Sequence, residues 1–319
     1  MADTGNSSSN ITNTTDRSIY VTYSVVSCFA VVLCLLGLVG NAFVIWVLSF
    51  NIKRNKYTVY ILNLAVADFI YLLFSAVVMF LMADQMINLR FQTRATLQAL
   101  EVMYDFGYSA GMFFLTAISV ERCLSVLFPI WYKCYRPKHL SAYSCGGIWL
   151  LGALLSLLDN FVCPAEAFEG MTIECTGVQV FSLVLTFVFV IPLMLVTSFI
   201  LIYIVKTTSK KSRPPKIYVA IIVTVLVFLI SVTPIRLLWF LLYFKSFTSK
   251  ISALALFFTS TYCTLFNSSA NPFIYFFVGR QRKKRFGGSI NGALSRVFKD
   301  DDTEQSSGLD GNTSTTSMP

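Results

Sequence analysis

The sequence has one histidine, His139, in 319 residues, and only 13% of its residues are charged. A single histidine excludes a histidine metal cluster and most histidine-based catalysis. Soluble domains carry roughly 25% charged residues, so this chain lacks the polar groups to cover a surface in water. With 55% hydrophobic residues and a mean hydropathy of +0.68, the bulk of it is not disordered either. The net charge of +9 does not mark a nucleic-acid binder, because the basic residues fall in short clusters between apolar runs. The strand alternation of a membrane β-barrel is missing. No basic segment followed by a short apolar one opens the chain, so no cleaved signal peptide is expected and the first apolar run should direct insertion.

Seven long apolar stretches are present, near 21–49, 58–83, 94–125, 140–162, 177–205, 217–244 and 251–278. Each exceeds the roughly 20 residues that cross a hydrocarbon core, and in lipid only helices satisfy their own backbone. The expected fold is an all-α integral membrane bundle of seven helices over 21–279. Residues 1–20 form a polar tail with glycosylation triplets at Asn6, Asn10 and Asn13. Residues 280–299 mix basic groups with Phe286, Ile290, Leu294 and Val297 at spacings of 4, 4 and 3, as in an amphipathic helix on a membrane surface. Residues 300–319 read as a disordered tail. Connections after spans 1, 3 and 5 and the segment after span 7 hold 18 Lys and Arg; the opposite side holds 5. That bias places the N-terminus outside and the C-terminus in the cytoplasm. The expected location is the plasma membrane.

Ionisable and amide side chains inside the spans are functional candidates by default. Asp68, Asn41, Asn267 and Asn271 lie mid-span; they either satisfy one another as interhelical glue or hold a cation such as sodium. In span 3, Glu101, Asp105, Tyr108, Met112, Leu115, Ser119 and Arg122 recur at alternating spacings of 4 and 3. One stripe therefore runs from acids at the outer end to Arg122 at the inner end, and it must face the bundle interior. Glu121 adjoins Arg122. Pro192, Pro234 and Pro272 each remove a backbone hydrogen bond and are expected to kink spans 5, 6 and 7.

Gly40-Asn41, Leu64-Ala65-Val66-Ala67-Asp68, Glu121-Arg122-Cys123, Trp149, Pro192, Pro234 and Asn271-Pro272-Phe273-Ile274-Tyr275 appear in this order across all seven spans. The chain resembles a rhodopsin-like G protein-coupled receptor. The segments TAISVERCLSVLFPIWYKCYRPKHLSA and FNSSANPFIYFFVG closely resemble the Mas-related receptor subfamily.

The resemblance implies a receptor and not an enzyme, with an extracellular ligand, a heterotrimeric G protein and arrestin as partners. Glu121, Arg122, Pro234, Asn271, Pro272 and Tyr275 would form the switch. A transporter or channel is the alternative, but no internal repeat supports it. Opsin chemistry is excluded, since Leu265 stands where a retinal lysine would. The resemblance also implies a disulfide between Cys163 and Cys175, because Leu97 replaces the usual cysteine at the outer end of span 3.

Several switch residues depart from the family pattern. Pro214 replaces the acid opposite Arg122, Val232 the aromatic before Pro234, Ile200 the tyrosine of span 5 (Tyr203 follows one turn later), and Gly111 the serine of the sodium site. A weakened inactive-state lock, appreciable basal signalling and a weakened sodium site are therefore expected. Glu101, Asp105, Tyr108, Asp159 and Arg236 are the candidate ligand-binding residues, with Glu166, Glu169 and Glu174 nearby. The excess of acid favours a cationic ligand, more a peptide than a small amine. Asp105 and Arg236 either flank that ligand or pair with each other.

Overall fold

A computed structural model describes residues 5–52, 55–88, 94–163, 172–208, 216–234, 236–238 and 250–280. Its regular elements are helical throughout the described residues. Helix α1 spans Gly5–Trp46 and continues as a π turn at Val47–Asn51. Helices α2 (Thr58–Asn88), α3 (Arg94–Leu127) and α4 (Leu140–Val162) follow. Helix α5 has two α segments, Ile173–Val184 and Ile191–Thr208, joined by a π segment at Leu185–Val190. Helix α6 starts with Lys216–Ser231, and α7 is Lys250–Arg280. Six of the helical stretches are long and apolar enough to cross a membrane. The seventh, α7, has 31 residues but dilutes its apolar side chains with a run of Ser, Thr and Asn from Thr259 to Asn271.

Two of the prolines sit where the backbone ladder of their helix is interrupted. Pro192 cannot donate to the carbonyl one turn back, and the helix widens just before it: the Ile191 N–H donates to Thr186 O, five residues away. In α6, Val232 N–H bonds Phe228 O at 2.9 Å and Arg236 N–H bonds Val232 O at 3.0 Å, on either side of Pro234. Pro272 stays inside α7, and Gly40 of α1 lies against its ring; a Cβ there would sit 3.1 Å from Pro272 Cβ.

Helix α3 is the central strut. Two thirds of its span (67%) is buried, against 22% for α4, and it packs on α2, α4, α5 and α6. Its polar stripe faces inward as the spacing predicts, with Met112, Leu115, Ser119 and Arg122 buried. Because lipid tails are as apolar as leucine, close packing and interhelical hydrogen bonds hold these helices together, each bond contributing roughly 0.6–1.7 kcal/mol. Trp149 Nε1 donates to Asn63 Oδ1 at 2.8 Å between α4 and α2, and the Trp149 ring lies between Phe106 and Phe114 of α3. Ser156 Oγ donates to Val102 O at 2.6 Å between α4 and α3.

The side chains of Asn6, Asn10 and Asn13, and all of residues 281–319 with the expected surface helix and tail, lie outside the described residues. Gly107 marks a close approach of α2 and α3: a Cβ there would stand 2.5 Å from Tyr71 N and 2.9 Å from Ala67 O, both backbone atoms. Gly107→Ala should therefore force the helices apart and cost about 1–3 kcal/mol. Gly147→Ala, with nothing within 4 Å of its Cβ, should cost nothing. Thermal unfolding of detergent-solubilised protein tests the contrast, and equal midpoints would refute the close approach.

Candidate functional site

A cavity of about 320 Å³ opens at the end of the bundle that carries Cys163. Helices α3 to α7 and Tyr71 of α2 line it, and all five candidate ligand-binding residues, Glu101, Asp105, Tyr108, Asp159 and Arg236, face into it. The two aspartates are fixed by neighbouring amides. Asn160 Nδ2 donates to Asp105 Oδ2 at 2.8 Å, and Gln179 Nε2 donates to Asp159 Oδ1 at 2.7 Å. Asn160 is itself held by its own helix, through the Ser156 carbonyl at 3.0 Å, and its carbonyl accepts from Gln98 Nε2 at 3.0 Å.

Across the cavity Arg236 takes an aromatic partner. Its Nε donates to the Tyr108 hydroxyl at 3.0 Å and its guanidinium lies 4.3 Å from the Tyr108 ring centroid. Among the described residues no ion pair joins Arg236 to either aspartate. Of the two sequence-based alternatives, the structure therefore shows two separated charges and not a closed Asp105–Arg236 bridge. The wall is completed by the Cys163–Cys175 disulfide, whose Cα atoms are 4.9 Å apart. Thr172 caps α5 by accepting from Cys175 N–H at 3.2 Å, which fixes where the second cysteine enters the helix. Glu174 is exposed in the first turn of α5, while Glu166 and Glu169 lie outside the described residues.

Midway along the bundle, Asn271 Nδ2 donates to Asp68 Oδ2 at 2.7 Å. Asn41 Nδ2 donates to Gly37 O at 3.0 Å and to Ser268 O at 3.2 Å. Asn267 is buried in the same layer. Gly111 faces this group; its Cβ would lie 3.5 Å from Asp68 Oδ1.

At the opposite end Arg122 is 1% exposed. Glu121 does not point to solvent. It accepts from Tyr60 OH at 3.0 Å, Tyr132 OH at 2.9 Å and Arg136 Nη2 at 2.7 Å. Arg136 also donates to Ser141 Oγ at 2.8 Å. Burial is the largest single influence on Arg136 and opposes its charge, but the Glu121 hydrogen bond, together with the electrostatic pull of Tyr132, Glu121 and Tyr60, outweighs it and raises the guanidinium pKa. The Arg122 guanidinium lies 3.5 Å from the Tyr57 ring centroid and 5.7 Å from that of Tyr218. Tyr57 in turn stacks on Tyr132, with centroids 5.5 Å apart and planes 3° from parallel. Tyr203 is 71% exposed and does not replace the missing span 5 tyrosine. Tyr275 is buried in the main core.

Sequence reasoning missed Asn160, Gln179, Tyr57, Tyr132, Arg136 and Tyr218. Asn160 had a usable signal, being a second polar residue beside Asp159 near the end of an apolar span. Arg136 and Tyr132 had none, since a basic residue in a loop between spans is already accounted for by the charge bias of the connections.

Among the described residues, seven helices with α3 as the central one, a polar cavity at one end and a caged arginine at the other, define a seven-helix membrane receptor. The family described as 7 transmembrane receptor (rhodopsin family) matches residues 40–275. The chain is 42% identical to the mouse protein named Proto-oncogene Mas, over 83% of this chain and 81% of that one. It is 38% identical to rat Mas-related G-protein coupled receptor member D, over 91% of each, and 41% identical to mouse member H, over 88% and 84%. The chain belongs to the rhodopsin family of G protein-coupled receptors, in its Mas-related subfamily. It is a multi-pass membrane receptor and not an enzyme.

The disulfide closes a short segment, with a sequence separation of 12, and should contribute roughly 2–4 kcal/mol. Cys163→Ser and Cys175→Ser should each lower cell-surface expression, and the double variant should be no worse than either single one. Additive losses would contradict the pairing.

Proposed function

We propose that the receptor sits in the plasma membrane with its N-terminus outside, binds a cationic ligand in the cavity, and signals through a heterotrimeric G protein, with arrestin as a further partner. The observation that carries the ligand reading is the charge of the cavity wall: among the described residues that line it, Glu101, Asp105 and Asp159 stand against one cation, Arg236, which is already engaged by Tyr108. Carboxylates in a partly desolvated cleft focus a negative potential and draw cations in. The amides of Asn160 and Gln179 aim the two aspartates without neutralising them. The acids are spread over α3 and α4, which favours a peptide with more than one basic group over a small amine.

Orientation rests on the Lys and Arg distribution and on the disulfide, which belongs in an oxidising compartment. Ligand binding biases an equilibrium between helix arrangements. Pro234 leaves α6 one hydrogen bond short just below the cavity, so the segment beyond it can swing. That motion would uncover Arg122 for a G protein helix, with Tyr275 and the Asn271–Pro272 turn rearranging beside it. Around Asp68 a sodium ion would find a weakened site: Asn271 occupies one carboxylate oxygen and Gly111 brings no hydroxyl towards the other, while the side-chain oxygens of Asn267 and Asn271 are buried without a hydrogen-bond partner among the described residues. No step of the switch is assigned to an ion there.

A screen of basic peptides and amines against second-messenger output should yield agonists. Asp105→Asn and Asp159→Asn should each weaken their potency by about tenfold or more, as expected when a partly buried charged hydrogen bond of about 1.5–3 kcal/mol is lost. Unchanged potency in both variants, or an anionic agonist, would overturn the cationic reading and make Arg236 the anchor.

Arg122→Ala should abolish G protein output while leaving agonist binding nearly intact, because the two sites lie at opposite ends of α3. Full signalling by that variant would remove Arg122 from the coupling step.

A further inference from the structure

Pro214 stands where the family pattern puts an acid across from Arg122, and the sequence alone then points to an unlocked receptor. The structure shows Arg122 covered nonetheless. Its guanidinium stands 3.5 Å from the Tyr57 ring centroid and 5.7 Å from that of Tyr218, and the residue is 1% exposed. Tyr57 opens the turn that leads into α2, and Tyr218 is on α6. The two rings therefore hold α3, α2 and α6 together at one point.

We propose that Tyr57 and Tyr218 are positioning residues for coupling: they clamp Arg122 between aromatic faces and so set the basal output of the receptor. Resting on the G protein reading above, the inference adds two aromatic rings to what holds the arginine. A guanidinium is weakly hydrated and planar, so it lies against aromatic rings at little desolvation cost, and the attraction strengthens where water is excluded. The two halves of the clamp differ. Tyr57 is fixed, because it stacks on Tyr132, whose hydroxyl is held by Glu121, itself held by Tyr60 and Arg136. Tyr218 is carried by α6 and leaves when that helix swings outward. Opening thus removes one ring while the other keeps Arg122 at the mouth of the cleft, extended and ready to meet a G protein helix.

The test needs no ligand. Tyr57→Leu, Tyr57→Phe, Tyr218→Leu and Tyr218→Phe are purified alongside the unaltered receptor and added to a panel of purified G proteins, and nucleotide exchange is followed. Loss of a desolvated cation–π contact corresponds to a shift of roughly tenfold in the closed-to-open ratio. Tyr218→Leu should therefore raise basal exchange several-fold, while Tyr218→Phe, which keeps the ring, should match the unaltered receptor. Tyr57→Leu should open the cleft but also lower the maximal rate, since Arg122 loses its fixed support, and Tyr57→Phe should restore both.

Cys123 supplies a readout independent of any G protein. It follows Arg122, is 5% exposed, and should be alkylated faster by maleimide in both leucine variants, with exposed Cys134 as the internal standard. Leucine variants unchanged in both exchange and Cys123 labelling overturn the clamp. Phenylalanine variants that behave like leucine overturn the ring as its agent. Faster Cys123 labelling with no exchange by any form leaves the clamp standing and overturns the coupling reading instead.

Discussion

A carboxylate cannot be left facing hydrocarbon, and α3 carries three: Glu101, Asp105 and Glu121. That constraint fixes the rotation of α3 about its axis and, through it, the arrangement of the helices around it. Once the stripe from Glu101 to Arg122 faces inward, α4 must bring Asn160 and Ser156 to the upper part of α3. The loop after α3 must fold back so that Tyr132 and Arg136 can satisfy Glu121. Small residues then decide how close the neighbours come. Gly107 admits the α2 backbone beside Asp105, and Gly152 of α4 meets Ala110.

The two ends of α3 handle their charge by different chemistry. At the cavity end, each aspartate receives one amide and remains open to a third group, while the arginine opposite rests on a tyrosine. At the Arg122 end, the carboxylate has three donors and is closed off, and the arginine is covered by rings. The first arrangement leaves electrostatic capacity for a ligand. The second uses it up within the protein, so that change there has to come from helix movement.

Much of this was legible in the sequence, because lipid restricts the possibilities. Span count, the inward stripe of α3 and the gathering of Glu101, Asp105, Tyr108, Asp159 and Arg236 at one end all follow from apolar run length and a period of 3.6. The clamp was not legible. Tyr57 and Tyr218 are ordinary aromatic residues at helix ends, and only the coordinates show that they meet on Arg122. The expectation of a weakened lock, built on the missing acid at Pro214, could take no account of the rings that lie against Arg122. A side chain can be held by groups that no motif names. The widened turn of α5 is a milder case: Pro192 announced a defect, but not that it would take the form of a π segment on its N-terminal side.

The disulfide joins α4 to the start of α5 and leaves α3 out. Among the described residues, the polar links of α3 to α4 at the cavity mouth are hydrogen bonds, Gln98 to Asn160 O, Asn160 to Asp105 and Ser156 to Val102 O. Mechanically, the mouth has one stiff wall and one compliant one. The α4–α5 edge moves as a covalently joined unit, whereas α3 can yield along its axis by exchanging hydrogen bonds, each a small fraction of the strength of a covalent link. Since α3 also carries Arg122 at its far end, the compliant wall of the cavity and the shaft that reaches the opposite face of the membrane are one and the same helix.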